Sequence, residues 1–464
     1  MLQTSQIIYA KTKKPHMQLI TVPLDLPDSV YQLRFVALQN AMKIHSLDVM
    51  LVYADREHAG NFDWLTGFEP RFEEACLIIH SCGKVYLMLG NECLKMHKYS
   101  RLSAIPVHTP VFSLPNQPTG AGKSLSSSFV EAGVLAGQTV GVAGWKLFQT
   151  LPSKQKMFDV PHFIVEDLCR AVGPEGYCKN ATDLFIHPGY GLRVRASAEA
   201  IACYEYQSTL ASQSVWAAME DLEVGRGEKE LANHLNRFGQ PLSCYSMCAT
   251  GERFTNAVVY PRENRIMLGD RFTVSMGLKG GLTCRVGYAA YTEADLPCNA
   301  RDYVERVAKP YFAASVIWYE SLQIGMTGGE LYKRIQDVLP NHQYSWTLNP
   351  GHLIASEEWL SSPIYPDSPI PLVSGMMMQM DIIVHLANYG GCNAEDGVVL
   401  ADEALREEIK GYNSALYARM MSRKAYIRNE LGINLPPEVL PMSDTVGYLR
   451  PLLLNKEWAL RVQR

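Results

Sequence analysis

The sequence predicts two α/β domains in tandem, flanked by an extension at each end. Three observations carry this. The chain has 464 residues, more than one hydrophobic core usually holds. Helical and strand patterns alternate through residues 29–172, as in an α/β domain. Beyond a glycine-bearing break at Gly173–Gly191, strands dominate 243–292, helices 301–339 and strands again 376–400. The boundaries so read are an N-terminal extension at 1–28, a first domain at 29–172, a second at 190–430 and a C-terminal extension at 431–464.

Each element has its own signal. Residues 1–28 form a polar arm with Lys11, Lys13 and Lys14, ending in Pro23 and Pro27. From Ser29, Val30, Leu33, Val36, Leu38, Met42 and Ile44 recur at near three-to-four spacing, which predicts a helix. Asp48–Tyr53 reads as a buried strand. Ala75–His80 and Lys84–Leu89 read as two strands joined by the turn Ser81-Cys82-Gly83, and Gln138–Ala143 as another. The Pro-, Gly- and Ser-bearing stretch 112–128 reads as a loop. Ser197 is placed to cap a long helix to about Asp221, with Gly225 and Gly227 as stops. A second helix is expected from Glu228 through Phe238. The tail 404–430 has a helical pattern.

Composition limits the function. Hydrophobic residues make up 47% and charged residues 19%, ordinary for a globular enzyme. The net charge of −4 gives no basic face for nucleic acid or an anionic membrane surface, so neither partner is expected. No signal peptide is read at Met1–Pro23, and no apolar run approaches the roughly 18 residues that span a bilayer. The eleven cysteines are scattered, with Cys244 and Cys248 the closest in sequence, so reduced thiols in a cytoplasmic protein are expected.

Several segments form an ordered set. Asn61-Phe62-Asp63-Trp64-Leu65-Thr66-Gly67-Phe68 follows an arginine-bearing helix and a strand. The helix Glu199–Asp221 leads into Gly225-Arg226-Gly227-Glu228-Lys229-Glu230-Leu231. Gly269–Tyr288, Asn349–Trp359 and Gly375–Leu400 come next. In the order and spacing of these pieces, over roughly residues 29–410, the chain resembles the creatinase / aminopeptidase P / prolidase / methionine aminopeptidase family. The resemblance implies a creatinase-type N-terminal domain followed by a pita-bread domain with a curved, mostly antiparallel sheet. It also implies C–N bond hydrolysis, and a homodimer in which Asn61, Asp63 and Trp64 face the partner's site.

In the metal-dependent members of that family two aspartates, one histidine and two glutamates hold two divalent ions, whose bridging water becomes acidic enough to attack an amide. Carried over position by position, Ser275 stands where the first aspartate is expected. Cys284, or Val286 by a strict count, stands at the second. His352 in Pro350-Gly351-His352 matches the histidine. Asp381 replaces the first glutamate, one methylene shorter, and Glu395 keeps the last. Tyr260 and Trp359 occupy the positions of two further substrate-side histidines.

These residues define the expected site. His352, Glu395 and Asp381 are the catalytic candidates, His352 as base or proton shuttle and the carboxyl groups as its orienters or as binders of a cationic group. Tyr260, Arg285, Cys284 and Trp359 are the substrate-binding candidates. Arg285 offers a planar fork for a carboxylate, and Cys284 a ligand or nucleophile if something lowers its pKa. The expected function is a C–N hydrolase acting on a small-molecule or dipeptide substrate without the two-metal centre and without a cofactor. The alternatives are a non-catalytic binding or regulatory protein that keeps the pocket, and a one-metal or retained metallo-aminopeptidase. In the one-metal case the ligands are His352, Asp381 and Glu395, with or without Cys284, and such a mixed set suits zinc better than manganese.

Overall fold

The computed structural model describes residues 4–18, 20, 25–118, 122–148, 154–235, 238–256 and 259–464. The chain divides into two compact units, one of residues 26–194 and one joining 1–25 to 195–464. The first strand, β1 (Ile7–Lys11), belongs to the second of these, so the lysine-bearing arm is not a free tail. Pro23 lies outside the described residues.

The unit 26–194 is a six-stranded mixed sheet with helices. Its strands are β2 (Val49–Ala54), β3 (Ala75–His80), β4 (Val85–Leu89), β5 (Ile105–His108), β6 (Thr139–Ala143) and β7 (Tyr177–Asn180), in the order β5-β4-β3-β2-β6-β7. β2, β3 and β4 pair antiparallel, while β5, β6 and β7 join in parallel. Every residue of β2 and β3 is buried, which is why both read as unbroken apolar runs rather than alternating ones. Helix Asp28–Ile44 buries Val30, Tyr31, Leu38 and Met42, and helix His162–Val172 buries Ile164, Leu168 and Val172, the latter three spaced four residues apart. The stretch 112–128 is not all loop: Ser124 caps a short helix, Leu125–Glu131, whose Leu125 and Phe129 enter the core. Residues 119–121 lie outside the described residues.

Asn61 is buried in this unit. Its amide donates to the Gly144 carbonyl, and its Oδ1 accepts from Arg193.

The second unit is built on a seven-stranded antiparallel sheet. Its strands are β8 (Leu242–Thr250), β9 (Arg271–Leu278), β10 (Gly281–Tyr288), β11 (His352–Leu353), β12 (Met377–Met380), β13 (Asn393–Leu400) and β14 (Val439–Pro441). The order is β11-β12-β13-β10-β9-β8, with β14 on the far end of β13. β9 and β10 are joined by the two-residue turn Lys279-Gly280, and Gly280 has φ +97°. Such a tight hairpin needs a residue that tolerates positive φ, and the turn fixes the register of everything beyond it. A Cβ on Gly280 would also lie 2.0 Å from the Tyr204 ring.

Ser197 caps helix Ala198–Glu220, its Oγ accepting from Ala200 N. Leu210, Val215 and Met219 of this helix pack on Phe272, Val274, Met276 and Leu278 of β9. The helix beginning at Glu228 stops at Ala232, short of Phe238, and residues 236–237 lie outside the described residues. The tail forms two helices, Glu403–Tyr412 and Ser414–Leu431. Residues 431–464 carry β14 and β15 (Trp458–Val462), and β15 pairs antiparallel with β1. Both chain ends therefore fold into the second unit. Glu205 on the long helix is wholly buried, and is held by Arg419 and Arg423 from the last helix. Among the described residues no helix is long and apolar enough to cross a membrane.

Candidate active site

The antiparallel sheet lines up Asp381, just past the end of β12, with Glu395 on β13, Cys284 on β10 and Ser275 on β9. His352, on β11, stands one step off that line, opposite Gln379. Cys284 lies directly opposite Glu395 on one side and Ser275 on the other. The register therefore puts Cys284, not Val286, beside the glutamate. Met380 pairs with Asp396, so one step further along the same antiparallel register Asp381 faces Glu395. One ligand atom from each of His352, Asp381 and Glu395 lies within 4.8 Å of the other two.

His352 is presented by an unusual backbone. Gly351 has φ +114°, and a Cβ there would stand 2.9 Å from both the Gln379 carbonyl and Trp318 Nε1. The strand can start at this point only because that residue is glycine. The imidazole is 1% exposed. Nδ1 is 3.2 Å from the Leu353 carbonyl, so Nδ1 carries the hydrogen and donates. That leaves a lone pair on Nε2, which has no hydrogen-bond partner and stands 3.9 Å from Glu395 Oε1. Glu395 Oε1, Ser275 Oγ and Gln379 Oε1 are also buried and unpartnered. Gln379 sits opposite His352 in the register. Trp359 stacks on the His352 ring at 4.1 Å between centroids and 19° between planes, with 38% of its surface exposed.

Burial dominates the electrostatics. It lowers the His352 pKa below its ordinary value against the pull of Asp381, so the ring is neutral. It raises Asp381 well above the carboxylate range, and the neighbouring Glu395 raises it further. Glu395 is raised by burial and then by Glu358. The Cys284 thiol is pushed up by burial, then by Glu395 and Asp381, so it is not a preformed thiolate nucleophile. Burial thus favours the uncharged form of each of these groups, and an arriving cation would draw protons from those that hold one.

The other candidates fall elsewhere. Arg285 is a correction. Strand alternation turns it to the opposite face from Cys284, where it is 1% exposed and forms an ion pair with Asp396. It also donates to the carbonyls of Cys284, Glu395 and Thr445, so its fork is fully used within the protein and is not free to clamp a substrate carboxylate. Tyr260 is half exposed. Its ring meets Tyr245 edge-on at 6.0 Å and lies under Arg262, and its carbonyl accepts from Arg253.

Glu358 is a group the sequence reading passed over. It is half-buried, and its charge acts on His352, Asp381, Glu395 and Cys244. The signal for it was its neighbour Trp359, already assigned to the site.

No protein-family model and no curated protein matches the chain. Solved structures do. An Xaa-Pro dipeptidase from Bacillus anthracis aligns with TM-score 0.60 at 16% identity, over 80% of this chain and 96% of that one. A prolidase from Pyrococcus horikoshii OT3 aligns with TM-score 0.61 at 16% identity, over 79% and 95%. Dipeptidase PepE from Mycobacterium ulcerans aligns with TM-score 0.61 at 16% identity, over 82% and 95%. With its mixed N-terminal sheet and antiparallel second sheet, the chain has the two-domain pita-bread fold that the prolidases and Xaa-Pro dipeptidases share.

Proposed function

We propose that the second unit hydrolyses a C–N bond in a dipeptide or small molecule, at a site built on His352, Asp381 and Glu395 and without a two-ion centre. The observation that carries the reading is the pair of buried, unpartnered atoms, His352 Nε2 and Glu395 Oε1, facing each other at 3.9 Å. A buried polar group left unmet costs roughly 1–3 kcal/mol. A fold that keeps two of them together is organised around something polar that enters between them. The names of the solved neighbours, dipeptidase and prolidase, support a peptide-like substrate.

In this reading His352 is the general base. Its Nε2 lone pair takes a proton from water as the water oxygen bonds to the substrate carbon. Asp381 or Glu395, holding a proton in the buried site, supplies one to the departing nitrogen as the C–N bond breaks. The test is turnover of Xaa-Pro dipeptides and small guanidino compounds. His352→Ala is expected to lower kcat/KM by at least about 10²-fold with the fold intact. Retained activity removes His352 from the chemistry. A wild-type protein that binds these compounds and turns none over would be a binding protein instead.

The three-donor cluster favours a second reading, in which one divalent ion is present. An imidazole nitrogen and two carboxylate oxygens suit one ion, so His352, Asp381 and Glu395 would hold it. When bound, it would polarise a carbonyl and acidify water. The donor set does not fit two ions, because Ser275 and Cys284 put a neutral hydroxyl and a protonated thiol where the resemblance implies aspartates. The two readings exclude each other at His352 Nε2, which either binds the ion or serves as the free base. Metal content by mass spectrometry of protein purified without chelators separates them.

A further inference from the structure

We propose that a cavity within the unit 26–194 binds a small aromatic anion, a single ring carrying a carboxylate or a phosphate, with its charge met by Lys146 and Lys179. Strand alternation explains where the cavity lies. Val140, Val142 and Cys178 point into the core of that unit, so Gly141 and Lys179, which pair in the β6–β7 register, face the other way. Gly141 has no side chain there, and a Cβ on it would stand 2.8 Å from Leu47 Cδ1. The cavity holds about 280 Å³. Leu47 and Lys179 line it, joined by Lys146 and Phe148 from the segment after β6 and by His187 and Tyr190 from the segment after β7. Residues 149–153 lie outside the described residues.

The lining has a flat aromatic wall. The His187 and Tyr190 rings stack at 3.8 Å between centroids and 12° between planes. Each ring is held: Gly189 N donates to His187 Nδ1 at 3.1 Å, and the Tyr190 hydroxyl donates to Asp183 at 2.8 Å. A wall fixed in advance loses little freedom when another ring packs on it. The lining also has two cations. Lys179 Nζ donates to the His45 carbonyl at 2.9 Å, and Lys146 Nζ lies 4.7 Å from the Trp145 ring centroid. Among the described residues neither has a carboxylate partner, and Asp183, the acid in the lining, is engaged by Tyr190. An ammonium has more donors than one carbonyl uses. Unpaired ammonium groups beside apolar walls hold a positive field in a concavity, and an oxygen anion both answers that field and accepts the spare hydrogens. Size narrows the ligand. Small-molecule sites hold roughly 300–1,000 Å³, and this one falls just below that range, which suits one ring and its acid group rather than a dinucleotide.

The test is calorimetric titration of the full chain with 4-hydroxybenzoate and with phenyl phosphate. Benzyl alcohol supplies the ring without the charge, and inorganic phosphate the charge without the ring. We expect one molecule of at least one aromatic anion per chain, bound at least about tenfold more tightly than either control. The stronger of the two identifies the acid group. The double variant Lys146→Gln/Lys179→Gln should keep its thermal melting profile and weaken that binding at least about tenfold. Tyr190→Ala should weaken it roughly twofold to tenfold, and His352→Ala should leave it unchanged. Inorganic phosphate bound as tightly as the aromatic anions would reduce the site to surface charge and overturn the proposal. Binding that survives the double lysine variant, or that disappears in His352→Ala, places the anion elsewhere and overturns it. So does a wild type that binds neither aromatic anion.

Discussion

Glu395 and Asp396 are consecutive residues of one strand, 5% and 0% exposed, yet they occupy opposite environments. Asp396 accepts hydrogen bonds from Thr283, Ser443, Thr445 and the Arg285 guanidinium. Glu395, on the other face, keeps an oxygen with no partner beside an imidazole nitrogen with none. The two carboxyls have the same chemistry and depth and differ only in the face they occupy. A buried polar group with all its partners marks structure, and one left without a partner marks a place kept for something else.

That contrast can be broken most forcefully on its structural side. Asp396→Ala leaves Arg285 buried and unpaired, and is expected to destabilise the second unit by about 3–5 kcal/mol, measured by urea unfolding. Glu395→Gln should cost far less, because the native carboxyl is already disfavoured where it sits. Equal losses for the two variants would show that the faces do not differ as described.

The pH dependence sharpens the comparison. Unfolded Asp and Glu titrate near 3.9 and 4.3, and in the fold Asp381 and Glu395 are both pushed well above. Between those limits the folded chain holds protons that the unfolded chain has lost. Their stabilisation is full below about pH 4 and is lost as pH rises through the folded values, at up to about 1.4 kcal/mol per pH unit for each group. His352 acts in the opposite sense. Its depressed pKa costs stability only as the pH falls below about 6.5. Above that point the carboxyls act alone. The unfolding free energy of chelator-treated protein should therefore fall as pH rises from about 4 toward the folded carboxyl values, and Glu395→Gln should flatten the fall. A flat wild-type profile would mean that neither carboxyl holds its proton.

The smallest effect belongs to the wall of the site. Trp359→Ala removes the ring stacked on His352 and should cost about 0.5–1.5 kcal/mol beyond lost area. It also opens the imidazole to water, so the His352 pKa should rise toward its ordinary value by NMR titration. An unchanged titration would show that burial by other groups, not Trp359, holds it down.

Much of this was legible along the chain. Ser197 announced the helix it caps, the runs read at 48–53 and 75–80 announced buried strands found at 49–54 and 75–80, and His352, Asp381 and Glu395 stood out by motif and spacing. Those signals are local: a cap, a period, a glycine before a histidine. Arg285 was misjudged because its partner, Asp396, lies 111 residues away. Glu358 was missed because its charge reaches the site only after folding. The terminal extensions looked like tails because β1 pairs with β15 at the other end of the chain.

The sequence by itself determined which residue types lie in which strand and, through the period-2 alternation, that Glu395 and Asp396 face opposite ways. Only the tertiary structure decided which face was filled. Ser443 and Thr445, together with Thr283 and Arg285, close around Asp396, while His352, Asp381 and Cys284 leave Glu395 a gap. The physical reason is that alternation is a property of one strand, whereas satisfaction of a buried charge depends on donors that reach it from remote parts of the chain.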